Sequence, residues 1–226
     1  MLKSAFLVMM LSALGYAESA SSADVLDRYL RAKQAAQSEL LEESMNVEID
    51  ASLPRLKKQA SMYGLRLITR AGRVAYTMLR FSGDNVVKTQ VIARFLNAEI
   101  NQPSGGEDLT ISAANYRFQY KGIADYAGRA ACVFRVAPKR KRVGLFKGEL
   151  WLDQATALPL REWGDLAKSP SPFVRRIRFV RDYVLTGGRT EVRRLILTAR
   201  ALFVGEVDMT MWFGNEVSSA QQPTEE

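Results

Sequence analysis

The run KGELWLDQATALPLREW, residues 147–163, decides how the chain is to be read. It alternates apolar and polar residues, breaks at Asp153-x-x-Thr156-x-Leu158-Pro159, alternates again and ends in a second tryptophan, Trp163. Alternation with a period of two on both sides of a turn is the pattern of a β-hairpin with one buried face. Pairing Leu152 with Leu158 across the loop 153–157 sets Leu150 opposite Leu160 and Glu149 opposite Arg161. One face then carries leucines, the other an opposite-charge pair flanked by Trp151 and Trp163, and such cross-strand pairs contribute roughly 0.2–1 kcal/mol each. Asp153 is placed to accept backbone N–H bonds in an Asx-type turn with Thr156 assisting. Pro159 fits only an edge or the first residues of a strand.

The same reading extends outward. Residues 116–125 and 129–136 alternate around Ala127-Gly128, and 173–185 and 190–203 around Thr186-Gly187-Gly188. Leu195, Leu197, Ala199, Ala201, Phe203, Val207, Met209, Met211 and Phe213 share one parity, with Gly205 between them as either a tight turn or a kink in one long strand. Upstream, Ser22 or Asp24 can cap a helix reaching to about residue 43, with Val25, Leu26, Tyr29, Leu30, Ala36, Leu40 and Leu41 on one side. Residues 45–53 alternate as a strand, and 61–70 and 74–81 form a hairpin around Ala71-Gly72. Asp84 can cap a second helix, 85–98, with a stripe of Val87, Val91, Ile92, Phe95 and Leu96. Two helices and a long meander predict an α+β domain. Its sheet is expected to be mostly antiparallel and to curl around the two helices, because large open sheets twist and coil.

The termini and composition bound the function. Residues 1–17 hold Lys3, an apolar run over 5–14 and the small residues Gly15 and Ala17, the three-part pattern of a secretory signal cleaved after Ala17. The run is far short of the roughly 20 residues that span a bilayer. The expectation is an exported chain in the periplasm or cell envelope: one domain over 18–216, a disordered tail over 217–226 and a monomeric state. With one cysteine, Cys132, no intramolecular disulfide can form; that residue reads either as a small buried apolar side chain or as a reactive thiol.

The chain has no histidine, which excludes the Ser-His-Asp triad, the Cys-His dyad and His-ligated zinc. Glu149, Asp153 and Glu162 gather around the hairpin. Arg161 is expected to occupy the first and the turn the second, so neither a catalytic carboxylate pair nor an enzyme is expected, and no metal or cofactor. The net charge of +8 is concentrated at Lys139, Arg140, Lys141 and Arg142 and again at Arg175, Arg176, Arg178 and Arg181. In an exported chain such runs are solvated surface or contacts for anionic headgroups or an acidic partner, rather than nucleic-acid sites.

The strand ending Leu-Trp-Leu-Asp-x-x-Thr-x-Leu-Pro-x-Arg, preceded by a basic, glycine-bearing segment, resembles the hairpin of the LolA/LolB/RseB superfamily of exported proteins. The order of elements agrees over most of the chain; Ala157 stands where that family commonly has glycine. The resemblance implies an α+β fold with a strongly curved, mostly antiparallel sheet, a half-open β-barrel whose concave apolar face, covered by the two helices, holds acyl chains of lipids or lipoproteins. Val87, Val91 and Phe95 of the second helix and Leu195, Leu197, Phe203, Val207, Met209, Met211 and Phe213 of the closing strands are the candidate lining. The same residues could equally make a filled core. Lys139, Arg140, Lys141, Arg142, Arg176 and Arg178 are the candidate contacts to headgroups or to a membrane-bound receptor. The resemblance also leaves open an envelope sensor or adaptor that binds a membrane-protein partner.

Overall fold

A computed structural model describes residues 21–38, 43–69, 73–101, 109–170, 172–187, 189–202 and 204–214. The expected signal 1–17, the tail 217–226, Leu40, Leu41, the Ala71-Gly72 turn and Phe203 lie outside the described residues.

The alternating runs become ten strands: β1 (Glu43–Leu53), β2 (Lys58–Ile68), β3 (Val74–Gly83), β4 (Tyr116–Tyr126), β5 (Arg129–Pro138), β6 (Phe146–Asp153), β7 (Pro159–Leu166), β8 (Val174–Thr186), β9 (Arg189–Ala201) and β10 (Gly205–Phe213). They form one antiparallel sheet in the order β3-β2-β1-β10-β9-β8-β7-β6-β5-β4. From β4 to β10 every strand pairs with its successor. The first three strands then join the end of that meander, Val47 opposite Phe213 and Ile49 opposite Met211. β3 and β4 remain edges, so the barrel stays half open. Gly205 is a tight turn: β9 and β10 run antiparallel, Leu195 opposite Met211, Leu197 opposite Met209 and Ala199 opposite Val207. That register keeps the apolar residues of both strands on one face, which is why they share a parity.

Each helix covers a different part of this face. α1 is described over Ser22–Ser38, residues 39–42 of its expected span lying outside the described residues, and its N-terminus is capped by Ser21, one residue before the expected cap: the Asp24 N–H donates to Ser21 Oγ at 3.2 Å. Val25 and Tyr29 pack into a cluster with Phe134, Phe146, Leu150, Leu152 and Phe179. The second helix starts as expected at Asp84, whose Oδ1 accepts from Val86 N and Val87 N at 2.8 and 3.3 Å. It runs through an α-helical Asn85–Val87, a π-turn over Lys88–Ile92 and an α-helical Ala93–Ile100. The wider turn puts Ile92, five residues after Val87, on the same face. Val87, Ile92 and Leu96 are buried against Ile49, Met62, Met209 and Met211, while Val91 and Phe95 are only partly covered. At the far end Glu99 ties this helix to the sheet, accepting from Arg66 Nε at 3.2 Å and from the Tyr76 hydroxyl.

The hairpin of residues 147–163 has a different register from the one predicted. Leu152 pairs with Pro159, one residue beyond Leu158, and a bulge between Trp151 and Leu152 adds a second step, so that Trp151 pairs with Arg161, Leu150 with Glu162 and Glu149 with Trp163. Glu149 is therefore not paired with Arg161. Its Oε2 accepts both indole N–H groups, from Trp151 and Trp163, at 3.1 Å each, and Arg161 turns to Asp182 at 3.6 Å. The turn itself is as expected: Asp153 Oδ1 accepts from Thr156 N and Thr156 Oγ1, each at 2.8 Å. Ala157 sits at φ 61°, a left-handed conformation that costs a non-glycine residue roughly 1–2 kcal/mol. Its methyl group is buried in the cluster with Leu150 and Leu152, which offsets that cost.

Gly148 and Gly164 face each other on the inward side of this hairpin. A Cβ on Gly148 would lie 1.8 Å from the Trp163 carbonyl oxygen, and one on Gly164 2.5 Å from that of Lys147. Only two hydrogens in place of side chains let the strands fold toward the concave face here.

Gly148→Ala should therefore cost more than the roughly 1–3 kcal/mol of ordinary overpacking, read as a lowered urea midpoint or loss of soluble protein. Asp153 gives a pH prediction. Burial opposes its ionisation, but the hydrogen bonds from Thr156 and the Arg129 guanidinium at 3.2 Å outweigh that and hold its carboxyl below the usual range. A depressed folded-state pKa stabilises above the unfolded value of about 3.9 and the benefit disappears as pH falls through the folded value. Asp153→Asn should lower stability at neutral pH by about 1–2 kcal/mol and flatten the acid limb of the stability profile below about pH 4, measured by urea titration across pH.

Candidate functional site

In a filled core the middle strands of the sheet would be the most deeply covered. Here one middle strand departs from that. β9 has four strands on one side and five on the other, yet none of its described side chains is fully buried. The two clusters lie on either flank, α1 over the β4–β7 side and the second helix over β1, β2 and β10. Leu195 and Leu197 touch both clusters and remain half-buried. The concave face thus carries an apolar strip over β8 and β9 between the two helices.

The proposed lining is divided by this arrangement. Leu195, Leu197, Val207, Phe213, Val91 and Phe95 are partly covered and border the strip. Val87, Met209 and Met211 are buried beneath the second helix, at 0%, 5% and 0% exposure, and belong to packing.

A polar cluster sits at the β7–β8 side of the strip. Glu162 pairs with Arg181 across the two strands, Oε2 to Nη1 at 3.0 Å, with 2% of the glutamate and 38% of the arginine side chain exposed. The Tyr183 side chain lies close enough to feel both charges, and the Arg181 guanidinium lies 5.7 Å from the Phe179 ring centre. Burial first, and then the Glu162 charge, push the Tyr183 hydroxyl far above its ordinary pKa. The same two causes, in the same order, raise Tyr29 of α1, whose buried hydroxyl has no hydrogen-bond partner among the described residues. The cluster places a cation and tyrosine hydroxyls beside Leu195 and Leu197 at the edge of the apolar strip. The sequence held a signal for it: Glu162 shares the parity of Leu150 and Leu152 across the hairpin, and Arg181 that of Phe179 and Tyr183 on β8.

Outward-facing charges are neutralised separately. Asp182 accepts from Arg194 Nη2 at 2.7 Å and from the Tyr126 hydroxyl at 2.9 Å, beside Arg161. Asp165 holds both Arg176 and Arg178, at 2.7 and 3.4 Å. Lys139, Arg140, Lys141 and Arg142 lie on the β5–β6 connection, where Lys139 Nζ donates to Ala113 O at 2.6 Å. Cys132 is buried in the α1 cluster, and burial pushes its thiol pKa up, so it is a core side chain. Among the described residues no group of three or more acidic or cysteine side chains is placed to hold a metal. No helix among them is long and apolar enough to cross a membrane.

Residues 64–180, just over half of the 226, match the MucB/RseB N-terminal domain. The chain belongs to that family. The matched segment takes in β3 to β7, the second helix and the first half of β8, and so the whole Glu149–Trp163 hairpin and Glu162 of the polar cluster. Among solved structures this MucB/RseB-family chain is similar to a LolA superfamily protein from Nitrosomonas europaea, with 15% identity, 87% of this chain and 92% of the other covered, and a TM-score of 0.41. It is also similar to a putative outer membrane lipoprotein-sorting protein domain from Vibrio parahaemolyticus, with 11% identity, coverage of 89% and 95%, and a TM-score of 0.43. A third likeness is to the Pseudomonas aeruginosa MucA/MucB complex, with 14% identity, coverage of 86% and 93%, and a TM-score of 0.27. No curated protein matches the sequence. The fold is LolA/LolB/RseB-like, as the hairpin motif led us to expect.

The Glu162–Arg181 pair makes a quantitative prediction. Arg181→Met leaves a buried carboxylate without its cation and should cost about 3–5 kcal/mol, whereas Glu162→Leu with Arg181→Met should recover most of that loss. Urea unfolding of the two variants beside the wild type checks it.

Proposed function

We propose that this MucB/RseB-family chain is an exported, non-catalytic protein of the cell envelope that holds acyl chains of a lipid or lipoprotein in the strip over β8 and β9. The observation that carries this reading is the incomplete cover of β9 in the middle of the sheet, with Leu195 and Leu197 half-buried between two helices. Leaving large apolar side chains half-covered at the centre of a sheet forgoes stabilisation of roughly 25 cal/mol per Å2 that a ligand's hydrocarbon would supply. The signal-like segment 1–17 supports export, and the Glu162–Arg181–Tyr183 cluster supports an amphiphile over a pure hydrocarbon.

The family assignment favours a second reading of the same site: a sensor whose loaded or empty state changes its contact with a membrane-bound partner protein. A carrier should retain mixed lipid, a sensor a defined protein partner as well.

Native mass spectrometry of the purified chain should show a co-purifying amphiphile, and an environment-sensitive fluorophore should bind and be displaced by fatty acid. Leu197→Trp, which fills the strip without adding charge, should weaken fluorophore binding by about tenfold; Leu195→Glu with Leu197→Glu should abolish it. If no lipid is retained and no fluorophore binds, the reading fails. A pull-down from envelope extracts that yields one stoichiometric protein would select the sensor.

A further inference from the structure

Four connections end on one rim of the sheet. They are the 3-10 turn Pro54–Leu56 between β1 and β2, and the β5–β6, β7–β8 and β9–β10 connections. Short contacts join them into a continuous line. Gly205 packs on the Arg55 side chain, the Leu202 N–H donates to Phe173 O at 3.0 Å, and the Ala167 N–H donates to Leu145 O at 2.7 Å. Gly144 then packs against Leu109. Along this line stand Leu56, Leu202, Phe173, Val143 and Leu109, with exposures of 45%, 44%, 56%, 42% and 42%. A single exposed leucine means nothing, but large apolar side chains on successive turns of one rim form a contiguous patch.

Among the described residues the charges on this rim are mostly basic, Asp84 being held by Lys58 at 3.2 Å and Glu206 lying opposite Arg200. Arg55, Lys57, Lys139, Arg140, Lys141 and Lys168 are exposed between or beside the apolar tips. Where β8, β9 and β10 reach the rim, a cavity of about 290 Å3 opens, lined by Arg175, Arg176, Arg178 and Arg200 with Thr198, Ala199 and Glu206. Asp165 engages Arg176 and Arg178, but no carboxylate among the described residues lies within ion-pair distance of Arg175 or Arg200.

Nucleic acid would meet the cations and leave the apolar tips in water. The boundary between headgroups and acyl chains accommodates both, apolar side chains entering it while basic ones stay at the phosphates.

We propose that this rim docks the protein on an anionic bilayer surface, with the five apolar tips in the headgroup–acyl boundary and a lipid phosphate in the arginine-lined cavity. This goes beyond the cargo reading and does not require it. The strip over β9 runs out toward the same rim at Ala199 and Ala201, so docking would set its end against the membrane.

The test is co-sedimentation of the full chain with phosphatidylcholine vesicles, with or without phosphatidylglycerol, at low and high salt. Retention should require the anionic lipid and fall with salt. Phe173→Ser with Leu202→Ser should weaken it by about tenfold per side chain, and Arg175→Ala and Arg200→Ala by about fivefold each. Arg73→Ala, on the opposite rim, should leave it unchanged, and circular dichroism should show every variant folded. Equal retention on both vesicle types, rim variants that bind like the wild type, or an equal loss in Arg73→Ala would each overturn the proposal. So would binding of inorganic phosphate that Arg175→Ala and Arg200→Ala abolish while vesicle retention stays unchanged, which would make the cavity a free-anion site, or self-association of the chain through the tips without vesicles. Leu197→Trp separates the two proposals: it should lose fluorophore and keep vesicle retention.

Discussion

The bend at Gly148 and Gly164 is the constraint on which the rest of the fold depends. A ten-stranded meander with one apolar face can bury that face only by curling, and curling brings neighbouring backbones closer on the inner side than two side chains allow. At this hairpin the inner-side Cβ atoms are missing from both strands, and the Trp163 and Lys147 carbonyls occupy the space. The bulges between Trp151 and Leu152 and between Asp182 and Tyr183 add twist on either side of β7. The sheet therefore wraps α1 on one flank and the second helix on the other, and neither helix covers the strands between.

The two faces handle charge differently. On the outer face Asp182 and Asp165 each gather two arginines, and those partly exposed networks are of modest worth because water screens them. On the inner face Glu162 and Arg181 are held among apolar side chains, where desolvation consumes most of the Coulombic gain. Such a pair is weak evidence of stability. It stands beside the Tyr29 hydroxyl, which has no hydrogen-bond partner among the described residues.

Much of this was legible in the sequence, for physical reasons that differ by element. The β9–β10 parity set was readable because a hairpin of even register keeps partners on one face, whatever its turn. Asp84 and the Asp153–Thr156 turn were readable because short side chains cap within their own segment. The pairing of Glu149 with Trp163 was not, since the turn closes one residue later than the leucines suggest and a bulged residue adds another step, and alternation carries no mark of either. Nor was the π-turn over Lys88–Ile92, which moved Val91 off the buried stripe. The rim was illegible for another reason: Leu56, Val143, Phe173 and Leu202 are far apart in sequence, and only the meander brings their turns to one edge.

The pairing of β1 with β10 has a consequence for how the chain comes into being. Val47 finds its neighbour in Phe213, so nearly the whole sequence must be present before β1 is hydrogen-bonded on both sides. Every other strand pair joins neighbours in the chain and can form early. A polypeptide delivered amino end first would thus expose one edge of its opening strand until the last strand arrives. Such long-range closure is slow, and it leaves an interval in which a holding chaperone would find a ready template.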